Sequence, residues 1–344
     1  MKQVFINKEA LVVLIKNLKS SCDEFIAPKY EHLTDIVFGD TKHDGKELLD
    51  YEGNSVISPR AFLLPQTDPL FEIKSAKNCE FIPTEDKKKR IFYGVRPCDI
   101  KALVLTRKFF IADGPVDAPY KRKMDNSVFI GLACGKRCSV ESFCHLMDAG
   151  PIAKEGFDLQ LIPLSRGYLI EAGSRKGSKI IQKNKKLLSK VLPEDKKEIK
   201  DMLKSFAPMA KRINHKKLAK IMREDKVAQS IWDDIGQRCV VCSGCITLCP
   251  TCSCFSVSDR LSGDKGTRFR YCDGCVYAGF TRMAGGNMPF PEHKDHIRRF
   301  FEHKLNIDVE RYGTPSCVGC GRCIETCPGN ISIKKFIEQA VDGL

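Results

Sequence analysis

The chain has 344 residues, an apolar fraction of 42%, eighteen cysteines and a formal charge of +14. That length gives room for about two or three domains with a substantial core, and the ordinary apolar content excludes a disordered or membrane-embedded class. The apolar run Ala10–Ile15, flanked by Lys8, Glu9 and Lys16, is too short for a secretory signal or a span. A reducing, cytoplasmic setting is therefore expected, where cysteine abundance points to metal more than to disulfides. The basic excess gathers in Lys87–Arg90 and between Arg175 and Lys226, with only Phe206 interleaved. Nucleic-acid binding is not read from it; a solvated helix face, or a surface for an acidic partner, fits better.

Taken in order, Leu11, Leu14, Ile15 and Leu18 keep helical spacing and predict an opening amphipathic helix. Residues 22–87 are rich in turn formers, with Ser58–Pro65 between short strand candidates. Gly39–Lys46 has one residue too many between its glycines for a phosphate loop, and Glu47 stands where Ser or Thr would bind magnesium. Arg90–Tyr93 and Ser127–Ile130 predict buried strands, each running into a cysteine-bearing loop. The first loop is Gly94–Asp99, followed by a helix from about Ile100 to Phe110; the second runs from Gly131 through Cys134 and Cys138 to Cys144 and His145. Strand ends of an α/β sheet are where ligands bind, so Cys98, Cys134, Cys138 and Cys144 are candidate metal ligands. Zinc, or simple burial as small apolar residues, are the alternatives.

Strand candidates follow around Leu161 and Leu169, then a lysine-rich stretch in which Ile199, Met202, Leu203 and Phe206 keep helical spacing and Pro208 is expected to end the run. Val227, Ile231, Trp232 and Ile235 predict a helix stopped by Gly236. It delivers the chain to Cys239, Cys242, Cys245 and Cys249-Pro250, a C-x2-C-x2-C-x3-C-P run that Cys317, Cys320, Cys323 and Cys327-Pro328 repeat. This is the ligand pattern of ferredoxins with two 4Fe-4S clusters, in which the fourth cysteine of each run crosses to the other cluster. Cys239, Cys242, Cys245 and Cys327 are thus expected on one cluster, and Cys317, Cys320, Cys323 and Cys249 on the second. Structural zinc usually stops at four ligands in paired C-x2-C units. Each oxidised cubane with its thiolates carries about −2, so two clusters bring the net charge near about +10.

Between the runs, Ile297, Phe300, Phe301 and Leu305 mark a helix, and Gly313-Thr314-Pro315 marks a turn. A helical ferredoxin domain is expected in place of the small β-hairpin type. The same insertion carries Cys252, Cys254, Cys272 and Cys275, read either as S–H donors packed around the clusters or as an extra metal site. His293, His296 and His303 share a helix face and read as polar surface; His145, beside Cys144, is the histidine of interest.

Along its whole length the chain resembles the iron–sulfur family that includes the beta subunit of cytoplasmic nickel–iron (sulf)hydrogenases and an iron–sulfur subunit of anaerobic sulfite reductase. The resemblance is carried by Ser58–Gln66, Gly94–Asp99, the Gly131–Cys144 loop, Cys249–Cys254 and Gly279–Gly286. It implies an oxidoreductase component passing electrons between a flavin subunit that handles NAD(P)H and a partner holding the catalytic centre. Two stretches depart from the family pattern. Tyr271-Cys272-Asp273-Gly274-Cys275 has an added cysteine where the family places Trp before the Asp, and Ser142-Phe143-Cys144 with Cys138 replaces Cys-Phe-Cys.

The expected architecture is an α+β N-terminal domain followed by an α-helical ferredoxin-type dicluster domain. The boundaries are 1–183 for the α/β domain with a candidate third cluster on Cys98, Cys134, Cys138 and Cys144, 184–225 for a lysine-rich connector, and 226–344 for the dicluster domain. No G-x-G-x-x-G follows a strand, so flavin and NAD are expected on a partner, and no complete catalytic site is recognised. The function expected is electron relay within a multi-subunit oxidoreductase. The alternative is a sulfur- or disulfide-reducing site in the N-terminal domain, with Arg96, Asp99 and His145 near it.

Overall fold

The computed structural model describes residues 3–75, 77–206 and 213–342. Strand β1 (Gln3–Ile6) leads into α1 (Lys8–Lys19), which Asn7 caps by accepting from the Ala10 amide. Its buried face is Leu11, Leu14, Ile15 and Leu18, as the spacing predicts. Next come β2 (Glu24–Glu31) and β3 (Asp35–Asp40), then a single 3-10 turn at Pro59–Phe62 that fills the Ser58–Pro65 stretch. Strands β4 (Thr67–Ser75) and β5 (Glu80–Pro83) precede β6 (Arg90–Val95), whose six residues are all buried.

Helix α2 (Pro97–Arg107) begins three residues before Ile100, because Pro97 at its first position is already set to a helical φ and has no amide to satisfy. Cys98 and Asp99 therefore lie in its first turn. The chain continues through α3 (Ala118–Asp125), β7 (Ser127–Leu132), β8 (Leu159–Leu164), β9 (Gly167–Ala172), α4 (Arg175–Lys183) and α5 (Pro193–Phe206). Pro208, expected to end this last run, lies outside the described residues. After α6 (His215–Arg223) and α7 (Gln229–Arg238) come the short α8 (Gly244–Thr247), β10 (Phe255–Ser262) and β11 (Lys265–Cys272). The chain closes with α9 (His293–Glu302), α10 (Asp308–Tyr312), α11 (Arg322–Glu325) and α12 (Ile333–Asp342).

Two compact units result. The first comprises Met1–Leu63, Asp86–Lys211 and Val318–Cys320; the second comprises Leu64–Glu85, Arg212–Cys317 and Gly321–Leu344. The first is built on a seven-stranded sheet in the order β1-β9-β8-β7-β6-β2-β3. Its centre, β2, β6, β7 and β8, is parallel, and its margins are antiparallel. Parallel strands are covered on both faces, which explains why β6 reads as an apolar run from Ile91 onward. Because β6 and β7 are parallel neighbours, the loops that follow them, carrying Cys98 and Cys134, emerge at the same sheet edge.

The second unit is helical but also holds a four-stranded antiparallel sheet, β10-β11-β4-β5. The insertion between the cysteine runs thus begins as a β-hairpin and turns helical only at α9. Strand β10 is mostly exposed and β11 mostly half-buried, without a regular alternation, so the pairing with a segment far upstream was not legible from periodicity. One buried ion pair, Arg270 to Asp68 at 2.7 Å, locks β11 to β4.

Helix α7 runs through Gly236 to Arg238 instead of stopping at the glycine. The glycine serves packing: a Cβ there would lie 2.7 Å from the Lys294 Cβ on α9. Gly236→Ala is therefore expected to destabilise the second unit by about 1–3 kcal/mol through overpacking, despite the roughly 1 kcal/mol gained in helix propensity. Thermal melting of the variant checks the sign.

Candidate metal centres

The two cysteine runs fold alike. In the first, Val241 and Ser243 are left-handed, at φ 53° and 62°; at the matching positions of the second, Gly319 and Gly321 stand at 65° and 86°. Each run then enters a single helical turn, α8 or α11. Two left-handed residues in close succession coil the backbone so that cysteine sulfurs and backbone N–H groups turn toward one centre, the anion-binding geometry that backbone nests provide. Glycine is required at 319, where a Cβ would lie 2.8 Å from the Cys144 nitrogen in the first unit.

Cys239, Cys242, Cys245 and Cys327, the set expected from crossed spacing, line one cavity in the second unit that leaves about 600 Å³ unfilled by protein atoms. Its remaining wall is apolar, from Val276, Ile297, Phe300, Phe301, Ile331 and Ile333, and Cys323 also borders it. The Val241 amide donates to the Cys239 sulfur at 3.5 Å and the Ile331 amide to that of Cys327 at 3.4 Å. Such N–H···S bonds stabilise thiolate. Burial works the other way, pushing the Cys245 thiol up to about 12, so loading with metal must expel that proton. His293 Nε2 donates to this same turn at the Cys239 carbonyl, 3.0 Å away. His296, read from sequence as polar surface, is buried instead.

Of the other four, Cys249 and Cys317 are buried in the second unit, and Cys320 is buried in the first. Thr251 Oγ1 lies 3.2 Å from the Cys249 sulfur. That sulfur is held well below the ordinary thiol range, first by the hydrogen bond from Cys252 and then by the charge of Lys304. Cys252, Cys254 and Cys275 line a separate, smaller cavity of about 300 Å³ with Asp273, His303 and Lys304. Cys272 is set apart from them, its sulfur donating to the Pro65 carbonyl at 3.5 Å.

In the first unit, Cys134 lies near Cys138 and Cys144, while Cys98 stands in the first turn of α2. The Cys134 and Cys138 thiols are hydrogen-bonded to each other, and that contact with burial holds Cys134 well above the usual range. Burial pushes Cys144 up to about 12, with Cys138 and Cys320 adding to the effect. Arg96 is buried beside them, its guanidinium stacked 3.8 Å from the Tyr51 ring and donating to the carbonyls of Ala133 and Tyr51. Ser58 donates to buried Asp99 at 2.8 Å, tying the 3-10 turn to the start of α2. His145 is half-buried in the turn that begins at Cys144. Among the described residues no three His, Cys, Asp or Glu side chains close on a single ion; a cubane, bonded at its corners, spreads its thiolates farther apart.

Residues 238–331 match the family described as the 4Fe-4S dicluster domain. The chain is also 29% identical over 299 residues to sulfhydrogenase 2 subunit beta of Pyrococcus furiosus, an alignment covering 86% of each protein. Over most of its length the chain is thus similar to a sulfhydrogenase beta subunit, and its C-terminal part is a 4Fe-4S dicluster domain. The dicluster domain carries two 4Fe-4S clusters. It is placed in the second unit apart from Val318–Cys320. No helix among the described residues is long and apolar enough to cross a membrane. Lys304 is the site residue the motifs did not disclose. Its signal was a cation four residues after Phe300 and seven after Ile297, on an otherwise apolar helix stripe.

Proposed function

We propose that this chain relays single electrons between a subunit that takes them from NAD(P)H through flavin, or from a ferredoxin, and the catalytic subunit of a multi-subunit oxidoreductase, a hydrogenase in the first instance. Cys239, Cys242, Cys245 and Cys327 hold one cluster; Cys317, Cys320, Cys323 and Cys249 hold the other. The observation that carries the reading is the apolar cavity bordered by the first four sulfurs, three from one run and the fourth from the other. A dry wall with few N–H···S bonds favours a low potential, suited to electrons that reduce protons or sulfur compounds.

Cys98, Cys134, Cys138 and Cys144 fit a third cluster, with the N-terminal amides of α2 favouring negative charge at Cys98. Iron and acid-labile sulfide analysis of protein purified without oxygen, with EPR of the reduced form, tests both assignments: about eight irons for two clusters, about twelve for three. Cys134→Ser is then expected to remove about four irons while leaving the signals of the two ferredoxin-type clusters in place. An iron count that does not respond to it removes the third cluster from the reading. A sulfur-reducing site in the first unit has one observation in its favour, an open cavity where Cys134 and Cys138 stand with Arg96 and Lys136. Turnover of polysulfide or disulfide by the isolated chain would establish that second reading.

A further inference from the structure

Lys304 is 4% exposed, yet no carboxylate pairs with it among the described residues. It lies in a π turn, His303–Ile307, that widens the helix between α9 and α10. Such turns recur where a helix is distorted to place a side chain. The Lys304 ammonium donates to Thr251 Oγ1 at 3.0 Å, and its backbone carbonyl accepts from the Ser316 amide at 3.0 Å. Those two contacts fix it to the segment after Cys249 and to the residue before Cys317. The Phe300 ring covers it at 5.2 Å. The sulfurs of Cys249, Cys252 and Cys317 are the groups that face it.

A buried ammonium without a counter-charge is costly, so a fold that places one by distorting a helix needs negative charge there. Cysteine thiols in their neutral form supply none; a cubane with its thiolates supplies about −2 oxidised and about −3 reduced. We propose that Lys304 is the built-in counter-ion of the cluster held through Cys249 and Cys317, and that it raises that cluster's reduction potential above what the site would otherwise have. Because the cation meets one more negative charge after reduction, it favours the reduced form. The cluster of the Cys239 cavity has no such cation among its lining residues, so the asymmetry biases electrons toward the Cys249 cluster. This rests on the two-cluster reading above and assigns it a direction.

The test is a redox titration followed by EPR on the iron-loaded full chain, wild type against Lys304→Met and Lys304→Arg. Lys304→Met should lower the equilibrium constant for reducing one cluster at least about tenfold, a shift of about 59 mV to lower potential for one electron. The other midpoint should move much less, and Lys304→Arg should stay near wild type. Loss of iron from the Met variant with retention by the Arg variant would carry the same conclusion through cluster binding. Full iron with unchanged or equally shifted midpoints would overturn it, as would iron loss from both variants, which makes Lys304 a packing residue. Wild-type iron content separates this from failure of the reading beneath it: a chain without iron and sulfide sinks both, whereas eight irons with no shift sinks only the role of Lys304.

Discussion

Cys245→Ser is expected to strip one cluster from the chain. The sulfur lies at the cavity bordered by Cys239, Cys242 and Cys327 and is mostly buried, so a shorter, harder hydroxyl oxygen there cannot replace thiolate ligation. Iron should fall by about four per chain, one set of EPR features should vanish, and electron throughput in the assembled complex should drop at least about a hundredfold. Cys272→Ser is the matched control, because that sulfur is spent on the Pro65 carbonyl and borders neither cavity of the second unit. Unchanged iron in Cys245→Ser would remove the proposed ligand assignment at this cavity. Loss of iron in Cys272→Ser would show that the insertion carries a site of its own.

The second large effect is expected at Trp232, the chain's single tryptophan. Its ring packs against Phe336 at 4.8 Å and Phe301 at 5.9 Å, and those two meet each other at 4.7 Å. All three are almost fully buried, and Phe301 is itself part of the cluster cavity wall. Trp232→Ala leaves a void next to that wall and should cost about 3–5 kcal/mol, a large share of the roughly 5–15 kcal/mol that holds a domain folded. Heating a cluster protein is irreversible, so the measurement is the rate at which visible cluster absorbance bleaches, expected to rise at least about tenfold. Leu261→Ala, at a side chain 57% exposed on the hairpin, should bleach at the wild-type rate. Equal rates for the two variants would show that the aromatic trio does not support the cavity.

The cysteine runs were legible because ligand spacing is a local property: three sulfurs at intervals of three residues with a left-handed turn between them define a site almost by themselves. The opening helix was legible for the same reason, its apolar residues repeating at the period of the element they form. Gly236 misled because glycine has two uses, ending a helix and letting another approach, and only the position of Lys294 tells them apart. The β10–β11 hairpin was missed because β10 is largely exposed, β11 only half-buried, and neither alternates strongly. Their partner, Thr67–Ser75, lies far upstream, where no local pattern could reveal the pairing. His296 reads as surface in a helix repeat, yet tertiary packing buries it.

The sequence by itself determined the chemistry of this protein: which residues could ligate iron, how many clusters the dicluster domain takes, and that the N-terminal part would be an α/β sheet with cysteines at its strand ends. Those follow from residue type and short-range period. Tertiary structure alone decided which of the four insertion cysteines share a cavity, and that a lysine is driven into the interior beside Cys249. Each depends on segments distant in the chain meeting at a few ångströms, and burial, which turns a common surface cation into a fixed internal charge, is a property of that meeting and not of the residue.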